Sequence, residues 1–134
     1  MAHDTEKLRE LLERCEAATG PDRELDLHIS RSLGLLGHAA GLPDEAFLAA
    51  WLPACRFGRY TASLDASIAL VERMLPGWDW LVSLSELGGR EFCAVVEHWD
   101  GDEYVSHRPT APLAILSALL RALISQAEGE AKHG

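Results

Sequence analysis

Residues 91–124 read EFCAVVEHWDGDEYVSHRPTAPLAILSALLRALI, and the architecture follows from this stretch. Residues 92–99 predict a β-strand that is apolar on both faces, which is typical of a central strand covered on both sides. The pair Asp100-Gly101 is a strong hairpin signal. It leads to a short strand at about 103–107, so we expect the two strands to pair antiparallel.

A long helix is predicted after the hairpin, because Thr110 can cap it and Pro112 suits its first turn. Between Leu113 and Ile124, Arg121 is the only charged residue. A helix so apolar is buried over most of its circumference or lies at a subunit interface. We therefore expect either a core helix or a homo-oligomer formed through residues 110–127.

Upstream, a period of two predicts the first of three antiparallel strands: Trp78, Trp80, Val82 and Leu84 alternate with Asp79, Leu81 and Ser83. Trp78 and Trp80 share one face of it, which predicts core packing or, less commonly, a binding surface. A further helix begins after Ser63, a good capping residue. Its expected apolar stripe is formed by Leu64, Ile68, Val71 and Leu75.

The chain is expected to form one domain over residues 1–134. Two helices are expected over residues 5–34, and a variable insertion of helix and loop over residues 37–59. An αβββα unit is expected over residues 60–127, followed by a frayed tail at 128–134. The first helix has an apolar stripe that includes Cys15. The predicted fold is α+β, a three-stranded antiparallel sheet covered by helices on both faces, or α/β/α sandwich. The first two helices would cover one face and the last two the other.

Composition excludes several classes of function. The chain has 12 basic and 21 acidic residues and a net charge of −9, which disfavours nucleic-acid backbones and anionic membranes. No apolar run approaches the roughly 18 residues of a membrane span, and residues 1–6 do not resemble a signal peptide. Three widely spaced cysteines form no disulfide framework. These features predict a cytoplasmic protein.

Few residues point to chemistry. Cys93, His98 and His107 lie close in sequence, but Cys93 and His98 are five positions apart and fall on opposite faces of a straight strand. No zinc or phosphate-loop motif occurs. We therefore assign no catalytic, cofactor-binding or metal residue, and no cofactor. The alternative is a small enzyme or metal-binding protein with a site near Glu97, His98 and His107.

The cysteines differ in their expected surroundings. Cys15 and Cys93 lie in apolar patterns and are predicted to be small core residues. Cys55 follows Pro53 in a predicted loop and should react first with a thiol reagent.

Three segments of the sequence resemble the phage ABA sandwich domain family, small phage and prophage proteins of unknown function. They are residues 11–26, residues 60–71 followed by 76–78, and the helix start at 110–114 running into 119–123, which together cover about a third of the chain. The resemblance implies a sheet sandwiched by helices and a phage or prophage origin. It implies no activity and no site residues.

These features favour a non-catalytic protein-interaction module whose partner is an unidentified phage or host protein. A nucleic-acid-binding module is a further alternative, because residues 63–127 run helix, three strands, helix, as in double-stranded RNA-binding domains. Residues 110–115 carry no cation where those domains use lysines against phosphate. We therefore expect no binding to double-stranded RNA.

Overall fold

The computed structural model describes residues 4–36, 42–53, 57–84 and 91–133, with side chains as far as residue 129. The sequence also predicts a turn at Gly88-Gly89, between the first two strands; this turn and Cys55 lie outside the described residues. The elements are α1 (Thr5–Ala17), α2 (Arg23–Ser32), α3 (Asp44–Trp51), α4 (Leu64–Met74), β1 (Asp79–Leu84), β2 (Phe92–Glu97), β3 (Glu103–Arg108) and α5 (Ala111–His133).

The three strands form one antiparallel sheet in the order β1-β2-β3. β2 is central, as predicted, and Val95 lies opposite both Leu81 and Val105. The hairpin between β2 and β3 turns at Gly101, whose φ of 107° is accessible to glycine but rarely to other residues. The predicted α+β class and antiparallel sheet are confirmed.

Helix α5 is the centre of the fold. Every residue from Leu113 to Leu120 is buried, because β2 and β3 pack on the helix and α1 and α4 also pack against it. By length and composition Ala111–Gly129 could cross a membrane, but 61% of that apolar window is buried inside the protein. α5 is therefore a core helix, which is one of the two possibilities that the sequence predicted. A homo-oligomer through residues 110–127 stays a prediction.

The helices that the structure describes pack on one face of the sheet, whereas the predicted sandwich has helices on both faces. On the sheet face opposite α5, which we call the outer face, Leu81 is 60% and Val105 39% exposed. The helices in contact with α5 include α1 and α4, and α2 packs on α1. The physical reason is the all-round apolar surface of α5, which needs partners on the side away from the sheet and so draws α1 and α4 to that side.

The buried side of α4 also differs from the predicted stripe. Ser67, Leu70 and Val71 are buried, whereas Leu64 and Ile68 are only half-buried. Ser67 can be buried because its hydroxyl donates a hydrogen bond to the Leu64 carbonyl, at 2.9 Å. The helix is therefore rotated relative to the position that apolar residues alone indicate.

The segment before α4 is attached to α2 through a buried carboxylate. Asp26 is fully buried and accepts a hydrogen bond from the Thr61 backbone N–H at 2.7 Å. Arg23 pairs with the other carboxylate oxygen at 2.9 Å and donates to the Gly58 carbonyl at 3.1 Å. The Thr61 hydroxyl donates to the Asp22 carbonyl at 3.1 Å. These bonds hold residues 57–61 against the start of α2.

Two cysteines lie in contrasting surroundings. Cys15 is buried in the main core, as predicted, and burial raises the pKa of its thiol to about 12. Cys93 is only half-buried and lies on the outer face, opposite His107 in the register. The prediction that Cys93 is a core residue is therefore wrong, because the face it occupies has no helix packed on it among the described residues.

Native-state alkylation should separate these two thiols. We expect Cys15 to remain unmodified by iodoacetamide at pH 8 without denaturant, because the thiolate is the reactive form and burial disfavours it. Cys93 should be alkylated measurably faster. Peptide mass spectrometry over time gives both rates in one experiment, with modification of Cys15 in denaturant as the control. Equal rates for the two cysteines in the native protein would contradict the placement of Cys93 on an open face.

Candidate functional site

A pocket of about 370 Å³ lies at the hairpin end of the sheet, between the β2–β3 turn and the C-terminal half of α5. Its lining residues are Trp78, His98, Asp100, Asp102, Tyr104, Ser125, Gln126 and Gly129. Aromatic rings and carboxylates therefore meet in one concave site, which is the usual form of a ligand-binding site.

The hairpin turn positions the two carboxylates. The His98 backbone N–H donates to the Asp102 carbonyl at 2.8 Å, and the Gly101 N–H donates to the His98 carbonyl at 3.0 Å. The Asp100 side chain accepts the Asp102 backbone N–H at 3.1 Å. That N–H, and then the His98 side chain, hold the pKa of Asp100 below its ordinary value. Asp100 is therefore an anion at neutral pH.

His98 is held by a carboxylate and two indoles. Its Nδ1 lies 2.9 Å from Asp100 Oδ1. Its ring centroid is 5.1 Å from that of Trp78 and 5.3 Å from that of Trp99, both tilted at 43°. Trp99 is 85% exposed, although burial of an indole is strongly favourable. An aromatic side chain left so open beside a pocket is typical of a recognition surface.

Tyr104 continues the row of aromatic rings that lines the pocket. Its ring stacks on Trp78 with the centroids 6.1 Å apart and an interplanar angle of 30°. Its hydroxyl donates to Ser125 Oγ at 2.6 Å, which links β3 to α5. The two contacts fix the Tyr104 ring from both ends, so the aromatic wall is preorganised.

The three residues of the predicted alternative site do not come together. His98 lines the pocket, whereas Glu97 and His107 lie on the outer face, at opposite ends of the sheet register. Strand alternation separates Glu97 from His98, because consecutive side chains point to opposite faces. In the described part of the chain, no three histidine, cysteine or acidic residues are placed to hold a metal ion.

Sequence reasoning found only part of this site. Trp78 was recognised as an aromatic strand residue, and it packs against the main core as well as lining the pocket. Trp80 is 40% exposed and so is not the core residue that its pattern favoured. Tyr104 and Ser125 were missed. The Asp100-Gly101 turn was a usable signal for Trp99 and Asp102, since it places both beside the end of the hairpin.

Chemically, the pocket suits a cation. Aromatic faces attract ammonium and guanidinium groups, and carboxylates at the rim add a direct charge interaction. Among the described lining residues, none is lysine or arginine. The site is less suited to nucleophilic catalysis, because Ser125 Oγ is bonded to Tyr104 and not to His98.

A search of protein-family models, curated proteins and solved structures finds no match to the chain. The resemblance to the phage ABA sandwich domain family stays a prediction.

Proposed function

We propose that this protein is a non-catalytic interaction module that holds a cationic side chain of a protein partner in the pocket beside the β2–β3 turn. The observation that carries the proposal is the convergence of the Trp78, His98 and Tyr104 rings with the carboxylates of Asp100 and Asp102. A methylated lysine, a lysine or an arginine has the charge and the shape for such a site.

Charge supports the same reading. The chain carries a net charge of −9, so a cationic partner is attracted at long range as well as in the pocket. The exposed Trp99 indole lies next to His98, which lines the pocket, with the two ring centroids 5.3 Å apart. From there it can cover the methylene groups of a bound side chain. In keeping with the resemblance, the proposed partner is a phage protein or a protein of its bacterial host.

A hydrolytic enzyme is the second candidate, favoured by the contact between His98 Nδ1 and Asp100 Oδ1. In enzymes this contact orients a histidine so that its other ring nitrogen acts as a general base. A nucleophile would then have to lie within hydrogen-bond reach of that nitrogen. Ser125 is occupied by Tyr104. Binding is therefore the better reading of this geometry.

Isothermal titration with short peptides tests the proposal. One peptide carries trimethyllysine, and its matched control carries acetyl-lysine, which is similar in length but neutral. We expect the cationic peptide to bind at least about fivefold more tightly, since a cation–π contact contributes about 1 kcal/mol. Equal affinity for the two peptides would contradict the proposal.

Single substitutions in the pocket test whether the trimethyllysine peptide binds there. Trp78→Phe keeps an aromatic ring in the core but weakens the cation–π contact, and Asp102→Asn removes one charge without changing the size of the side chain. We expect each to weaken the trimethyllysine peptide about two- to tenfold. Glu72→Gln on α4, an exposed position away from the pocket, is the matched control for charge. A loss of the same size in Glu72→Gln would show that only the net charge matters.

A further inference from the structure

We propose that the outer face of the sheet is a second docking surface, and that it binds an amphipathic α-helix whose apolar stripe is bordered by lysine or arginine. The register and strand alternation place nine side chains on this face in three rows. The rows are Asp79, Glu97 and Glu103; Leu81, Val95 and Val105; and Ser83, Cys93 and His107. The proposal does not depend on the pocket.

The middle row is an apolar stripe on which no helix packs among the residues that the structure describes. Leu81 lies opposite Val95, and Val95 lies opposite Val105, so the three side chains run straight across the strands. Leu81 is 60% and Val105 39% exposed. A sheet face with apolar side chains is normally covered by another layer, and in this fold α5 and the helices beyond it lie on the other side.

The first row supplies the charge that selects the partner. Asp79, Glu97 and Glu103 lie directly opposite one another on adjacent strands, and all three are exposed. Like charges in this arrangement repel one another. Within the described residues, the lysine and arginine ion pairs use other carboxylates. Cations from a partner would relieve the repulsion.

The third row makes the face asymmetric. Ser83, Cys93 and His107 carry no carboxylate, so negative charge borders the apolar row on one side only. A partner helix therefore needs cations along one border of its apolar stripe. This asymmetry also fixes which way the helix is rotated about its own axis.

The spacing of the apolar row fits a helix. Adjacent strands are about 4.8 Å apart, so Leu81 and Val105 are separated by about 10 Å across the sheet. Residues i and i+7 of an α-helix are about 10.5 Å apart along its axis, with i+3 or i+4 between them. A helix lying across the strands can thus place three successive apolar residues over Leu81, Val95 and Val105. On the other face of the sheet, α5 likewise packs on β2 and β3.

Two designed peptides test the proposal with the full chain. Each has 14 residues with leucine at i, i+3, i+4 and i+7; lysine fills the remaining positions in one and glutamate in the other. We expect the lysine peptide to shift the backbone amide signals of Leu81, Val95 and Val105 saturably in two-dimensional NMR. The affinity for the outer face is taken from these signals, separately from any binding of lysine in the pocket. We expect the glutamate peptide to bind at least tenfold more weakly.

Matched variants separate this face from the rest of the acidic surface. The double variant Glu97→Gln with Glu103→Gln should weaken the lysine peptide about three- to tenfold, as expected for two exposed charge contacts. Leu81→Asn should weaken it by a similar factor. Glu72→Gln on α4 and Asp102→Asn in the pocket should leave the affinity for the outer face, measured at the amide signals of Leu81, Val95 and Val105, within twofold.

Three results would overturn the proposal. One is equal binding of the two peptides, and another is equal loss in all the charge variants. The third is a dimer in sedimentation that Leu81→Asn dissociates, which would make a second copy of the chain the occupant of this face. Because Asp102→Asn reports on the pocket alone, failure here is distinguishable from failure of the proposed function.

Discussion

Truncation of Leu119 to alanine is expected to lower the free energy of unfolding by about 2–5 kcal/mol, measured by urea denaturation. The Leu119 side chain is fully buried in α5, within the main core. Alanine at this position removes apolar contacts and leaves a cavity that close-packed neighbours can fill only in part.

Leu81→Ala is the matched control for this truncation. The same atoms are removed, but Leu81 is 60% exposed, so we expect a loss within about 0.5 kcal/mol. The difference between the two losses of unfolding free energy tests whether helices cover only one face of the sheet. Similar losses for Leu119→Ala and Leu81→Ala would contradict cover on one face only, because they would mean that the outer face is packed in solution.

Replacement of Asp26 by alanine is expected to lower the free energy of unfolding by about 2–4 kcal/mol. The change removes the acceptor of the Thr61 N–H and leaves the Arg23 guanidinium, which is about one-third exposed, without its carboxylate partner. Residues 57–61 would then lose their attachment to α2. Urea denaturation checks the loss of stability.

Two further variants make the Asp26 result specific. Asp26→Asn keeps an oxygen that can accept the Thr61 N–H but loses the charge, so its loss should lie between zero and that of Asp26→Ala. Glu72→Ala removes an exposed carboxylate from α4 and should change stability by less than about 0.5 kcal/mol. If Asp26→Ala were no more harmful than Glu72→Ala, the buried bond to Thr61 would not form in solution.

Local sequence signals predicted the elements well and their packing less well. The Asp100-Gly101 turn and the period-2 pattern of β1 depend only on neighbouring residues, and both are found. The doubly apolar pattern of β2 was misleading. Val95 is half-buried on the outer face between Leu81 and Val105, its cross-strand neighbours. The apolar pattern therefore marks β2 as the central strand, and it does not show that a second helical layer of this chain covers the outer face.

The residues of the candidate site were likewise predicted only where they are close to one another in sequence. His98 was noticed, but with Glu97 and His107, which are close in sequence and lie on the other face. The residues that do complete its surroundings include Ser125, which comes from α5 and reaches the pocket only through tertiary packing. Periodicity reports which side of an element is buried. It does not report which other element supplies the facing side chain.

Binding of a bare cation can be followed at the indole N–H signals of the four tryptophans by two-dimensional NMR. Tetramethylammonium chloride is the titrant, and sodium chloride at equal ionic strength is the control. We expect the signals of Trp78 and Trp99 to shift saturably. The signal of Trp51, which packs against a separate small core cluster, should not move. Unchanged signals of Trp78 and Trp99, or shifts that sodium chloride reproduces, would contradict the assignment of this pocket to a cationic ligand.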